Sequence, residues 1–254
     1  MIFIDSYRTD QLGFSLIELS IVLLIVALLL GGLLVPLTAQ IDQQRAKETQ
    51  KTFAELKEAL IGFAIVNGRL PCPATPNSST GLESYSGGVG ASPCTNPFNG
   101  LVPAATLGIS PINNQGLLLD GWNNPIRYAV SDANIGTSTN ALTTSNGMKT
   151  ATISSLAGTN LLYVCASATV INITNCGTAT KLTNNAPALV FSLGKNGNLG
   201  TLGADEQANT ANKPVFVSHE QSSAGAGNED FDDIVVWLST GILINRMVSA
   251  GQLP

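Results

Sequence analysis

The chain has 254 residues, enough for one or two domains, with 44% hydrophobic residues, only 11% charged ones and a formal net charge of −5 at pH 7. That balance excludes the basic face that nucleic-acid binding needs, and it leaves no polybasic patch for anionic lipid. Aromatics are few at 6%, and Gly, Asn, Ser and Thr crowd the chain after residue 67, which points to a turn-rich β domain with short strands.

Residues 1–13, MIFIDSYRTDQLG, read as a short polar leader ending in glycine. The next segment, 14–38, is strongly apolar. From Leu19 to Ile41 there are 23 residues without Asp, Glu, Lys or Arg. A helix needs ~20 apolar residues to span hydrocarbon, and an ordinary signal-peptide core has only ~7–15, so the run predicts a transmembrane helix.

Residues 39–67 continue it as an amphipathic half. Phe53, Leu56, Leu60 and Phe63 recur at helical spacing, and no Pro or Gly interrupts 37–61. Asn67-Gly68, followed by Pro71, supplies the stop. One helix from Phe14 to about Val66 would reach roughly 80 Å, with Gly31, Gly32 and Pro36 bending or loosening it. Its first half must be covered by lipid or neighbouring subunits, and its second half presents a stripe that a small sheet can cover.

Residues 68–254 form the predicted globular domain. The stretch 68–115 is rich in Pro, Gly and Ser and reads as an irregular loop. Strands are expected at Pro125–Val130, Leu161–Ser167, Ala188–Leu193, Pro214–Ser218 and Asp233–Leu238. Ser239 is placed to cap a closing helix through Ala250, ended by Gly251. The four cysteines, Cys72, Cys94, Cys165 and Cys176, all follow the apolar run, and their even number suggests two disulfides formed outside the cytoplasm. Three pairings are open; Cys72–Cys94 with Cys165–Cys176 is favoured because each closes a short loop. Zinc is not expected, since CxxC spacing is absent and His219 is the sole histidine.

Glu18 sits at the mouth of the apolar run, where a charge costs less than the ~2.5–3.5 kcal/mol of the bilayer centre. Were the leader removed after Gly13, the Phe14 amine would start the helix about one turn from Glu18. Between staggered helices, an amine from one chain and Glu18 of its neighbour would form a shielded ion pair that selects one register.

The residues G-FSLIE before an apolar run resemble the processing site of type IV prepilins and type II secretion pseudopilins. The resemblance implies cleavage by a prepilin peptidase after Gly13, methylation of the new N-terminus at Phe14, and an assembly role for the Glu18 carboxylate. It also implies other pilin subunits and an inner-membrane assembly platform with its ATPase as partners. This leader departs from the usual basic pattern, with Arg8 set against Asp5 and Asp10.

A second resemblance lies in DGWNNPIRY (120–128), SLGKNG (192–197) and DDIVVW (232–237), which are similar to three stretches of the major pseudopilin of type II secretion. Carried across, that family's calcium site falls on Asn196 and Asp233, with Asp232, Asp230 and Glu229 as possible extras. Oxygen ligands of this kind suit calcium, a hard cation. Asn196 stands where the family has Asp, and Lys195 adds an opposing charge. The same residues also read as a plain turn after a strand and a solvated acidic loop, and both readings stay open here. DGWNNP is expected to be a turn that buries Trp122 against the long helix.

No HExxH, GxSxG or Walker A motif is present, and GGVGASP (87–93) lies in a Pro-rich loop, so no enzyme is expected. The predicted fold is α+β: a long N-terminal helix, transmembrane in its first half, packed on a small antiparallel β-sheet domain with disulfide-stapled loops. The implied function is that of a structural pilin or pseudopilin subunit of a type IV pilus-like or type II secretion filament. It would be a single-pass inner-membrane precursor with a periplasmic domain, then part of a periplasmic or cell-surface filament. The alternative is an uncleaved, membrane-anchored periplasmic domain that never polymerises.

Overall fold

The computed structural model describes residues 15–87, 93–197, 203–222 and 230–253, without the side chains of 30–37. Helix α1 (Leu16–Asn67) is continuous over 52 residues. It ends where the sequence supplies a stop: Gly68, at φ 64°, donates its N–H to the Ala64 carbonyl at 2.9 Å. Two compact units divide inside α1, 1–44 and 45–254.

In the first unit the described aliphatics of α1 are solvent-exposed, from Leu16 at 86% to Leu29 at 60%. Among the described residues no helix is long and apolar enough to cross a membrane. The side chains of 30–37, which would complete the expected span, lie outside that description, as do Gly13 and Phe14.

The second unit is built in three layers. One sheet has four antiparallel strands in the order β1 (Gly100–Leu101), β2 (Arg127–Val130), β5 (Ala188–Ser192), β7 (Ile234–Trp237). The other orders β4 (Lys181–Ala186), β3 (Leu162–Cys165), β6 (Val215–Val217). The expected antiparallel pairing holds throughout the larger sheet and between β3 and β4, whereas β3 and β6 run parallel.

Strand alternation assigns the faces of the larger sheet. Tyr128, Val130, Ala188 and Val190 join Phe53, Leu56, Leu60, Ile61 and Ala64 of α1 in one core. Ala129, Leu189, Phe191 and Val235 join Leu162, Val164 and Phe216 of the second sheet in another. Each fully buried Leu or Phe contributes roughly 1.5–3 kcal/mol. Phe63 departs from the predicted stripe: it is half-buried under the Arg69 guanidinium, 5.0 Å from its ring centre, and Ala64 enters the core instead.

Among the described residues four short helices complete the domain: α2 (Ala104–Leu107), α3 (Gly147–Thr150), α4 (Ile153–Gly158) and α5 (Ala204–Thr210). The stretch 68–115 is therefore not wholly irregular, since it holds β1 and α2. The closing helix α6 (Thr240–Ser249) follows Ser239, but the Ser239 hydroxyl makes no capping bond; its carbonyl accepts from Leu243 instead. Disulfides join Cys72 to Cys94 and Cys165 to Cys176.

Candidate functional site

The three stretches DGWNNP, SLGKNG and DDIVVW meet in space. Asp120, 6% exposed, accepts from Trp122 N and Asn124 N through Oδ1 and from the Ser192 hydroxyl through Oδ2. Asn124 Nδ2 donates to the Gly194 carbonyl at 2.6 Å. Lys195 N and Asn196 N in turn donate to Asp232 Oδ2 at 2.9 and 3.1 Å. Gly194 is required there: its φ is 62°, and a Cβ would fall 2.1 Å from Asp232 Oδ1.

The DGWNNP turn docks on α1 through Gly121. A Cβ on Gly121 would lie 2.4 Å from the Arg45 carbonyl oxygen, so only glycine fits against the helix. Gly121 N then donates to buried Thr49 Oγ1 at 3.0 Å. Trp122 is half-buried outside that core, its indole N–H without a partner among the described residues.

The turn and β7 bring Asn196, Asp232 and Asp233 together, and α5 adds Glu206. Carboxylate oxygens of Glu206, Asp232 and Asp233 lie within 4.8 Å of one another. Glu206 is fully buried and accepts from Asn196 Nδ2 at 3.0 and 2.9 Å and from Asp232 N at 2.9 Å. Asp233 Oδ2 accepts from Asn209 Nδ2 at 2.7 Å. Three buried oxygens, Asn196 Oδ1, Asp232 Oδ1 and Asp233 Oδ1, have no hydrogen-bond partner among the described residues.

Burial pushes Asp233 up to about 8, helped by the charges of Glu206 and Asp232 and opposed by Asn209 and Arg127. Asp232 rises to about 6, again through burial first, against the backbone N–H groups it accepts and with Glu206 and Asp230 adding repulsion. An oxygen-only set with bare buried acceptors fits a hard cation. Asp230 is exposed and, with Lys195 and Gln221, lines an open cleft beside the cluster; Glu229 lies outside the described residues. Sequence reasoning missed Glu206, because ADEQANT carries no motif and sits ten residues past Asn196 in a segment read as loop.

His219 is engaged structurally. Its ring stacks on Phe231 at 3.8 Å, and Nε2 lies 3.0 Å from Asp205 Oδ2.

At the other end of the chain, Glu18 Oε2 accepts from Ser15 N at 3.2 Å, while Ser15 Oγ accepts from Ile17 N at 3.4 Å. This is a reciprocal helix cap, and its S-x-x-E signature was present in the sequence as Ser15 and Glu18. Glu18 is exposed, as is the apolar helix around it.

Comparison with known families finds one model, the prokaryotic N-terminal methylation motif, matching residues 8–34. No curated protein and no solved structure is found to match. The matched segment takes in Gly13, Phe14 and Glu18 and reaches into α1, and the motif points to structural, pilin-like proteins. The chain thus carries the class III signal of type IV pilins and pseudopilins.

Proposed function

We propose that the protein is a pilin or pseudopilin, cleaved by a prepilin peptidase after Gly13, methylated at Phe14 and polymerised through α1. The observation that carries this reading is the methylation motif at 8–34 running directly into a helix whose aliphatics, Leu16 to Leu29, find no cover in their own chain among the described residues. As a precursor that apolar helix sits in the inner membrane, with the disulfide-braced domain periplasmic. In the filament it packs against neighbouring helices, and Glu18 exchanges its cap on Ser15 for the amine of an adjoining subunit. The bonding of DGWNNP, SLGKNG and DDIVVW into one cluster supports the pseudopilin side of the family. In the same reading Asn196, Asp232 and Asp233 hold calcium, which stabilises the domain.

Two variants test the proposal. Gly13→Ala should leave full-length precursor in the membrane, read by mass spectrometry of the N-terminus; a normally matured chain would remove the processing step. Glu18→Ala should mature normally yet be lost from sheared filaments or the periplasmic fibre. Wild-type assembly by that variant would refute the role given to the carboxylate.

A further inference from the structure

We propose that Glu206, carried on α5 outside every stretch that resembles a pseudopilin calcium site, supplies a third carboxylate to this cluster and sets it for a divalent cation. The inference rests on the calcium reading above and adds to it a residue, a charge and a moving part.

Glu206 is 0% exposed and faces Asp232 and Asp233. Asp233, itself 3% exposed, keeps Oδ1 without a partner, as do Asp232 Oδ1 and Asn196 Oδ1. A buried oxygen left bare is disfavoured unless something fills the space beside it. Charge then decides what fills it. Glu206 adds a third carboxylate beside Asp232 and Asp233, with Arg127 offsetting part of the charge at Asp233, so the cluster attracts a divalent cation more strongly than a monovalent one. The absence of sulfur and imidazole donors selects calcium over zinc.

The same helix is tied to the sheets. Asn209 on α5 donates to the Val217 carbonyl and to Asp233 Oδ2, and accepts from Val217 N at 2.7 Å. Cation binding and the seating of α5 on β6 beside Asp233 are therefore coupled.

The test uses the full-length protein in detergent, titrated with calcium chloride at fixed sodium by calorimetry, with hydrogen exchange of residues 204–210 as a second readout. Wild type should bind calcium and gain protection in α5. Glu206→Gln should lose roughly tenfold or more in calcium affinity and show no calcium-dependent protection of α5. Should that variant fail to fold, Glu206→Asp, which keeps the charge but shortens the reach, should weaken binding while retaining selectivity over sodium. Wild-type affinity in either variant, with binding abolished by Asp233→Asn, would overturn the role of Glu206 and leave the two-aspartate site standing. A wild-type protein that takes up no calcium would end the calcium reading itself, and this inference with it.

Discussion

Arg69 and Glu83 face each other with side chains 7% and 8% exposed, in a bidentate pair at 2.9 and 2.8 Å. Glu83 also accepts from Tyr85 Oη and Cys72 N, and the guanidinium lies over the rings of Phe63 and Tyr85. Removing one partner strands a buried charge, so Glu83→Ala should cost about 3–5 kcal/mol in chemical denaturation. Burial raises the Glu83 pKa, but the bonds from Arg69 and Tyr85 outweigh it and hold the group below its ordinary 4.5. Its contribution is therefore present above that value and lost as pH falls through the lowered one.

Asp232 and Asp233 have the opposite sign. Raised to about 6 and about 8, they hold protons that the unfolded chain has released, so their contribution is complete below about 3.8 and fades as pH climbs through both values. With a chelator, the melting temperature should drop between pH 5 and 9. Calcium, which needs both groups ionised, should flatten that drop and stabilise most at the alkaline end. A chelated protein whose melting curve is the same with added calcium at every pH would contradict this account.

At the scale of elements, α1 is one helix serving two environments. Phe53, 1% exposed, fills the core under the larger sheet, so Phe53→Ala should cost about 3–5 kcal/mol. Val66→Ala, on the same helix at 80% exposure, should change stability by no more than about 0.5 kcal/mol. Equal effects in thermal unfolding would mean that α1 is not seated on the sheet through that face.

The burial of the strands sets their sequence patterns. β5 is buried along its whole length because α1 covers one face and the second sheet the other, so ALVFS reads as a continuous apolar run. β4 went unrecognised for the opposite reason. KLTNNA is mostly polar because it is an outer strand with a solvated face, and only its pairing with β3 makes it a strand.

At the scale of the molecule, the two disulfides brace different parts of one domain. Cys72–Cys94 holds the chain leaving α1, beside the Arg69–Glu83 pair, and Cys165–Cys176 holds the loop leaving β3. Replacing Cys72 and Cys94 by serine should cost about 2–4 kcal/mol and raise susceptibility to proteolysis. Unchanged denaturation of that double variant would show that the core alone holds the segment.

What the sequence by itself determined is what depends on neighbours along the chain: the G-FSLIE methylation motif, the uncharged run, the length of α1 and its Gly68 stop, and the sites of five strands. These signals are local because helix period, charge and turn chemistry act over a few residues. Only the tertiary structure decided the second sheet with its parallel pair, the seating of Gly121 on α1, and the arrival of Glu206 beside Asp232 and Asp233. Those outcomes turn on atoms far apart in sequence, whose burial and charge acquire meaning only once the chain has closed around them.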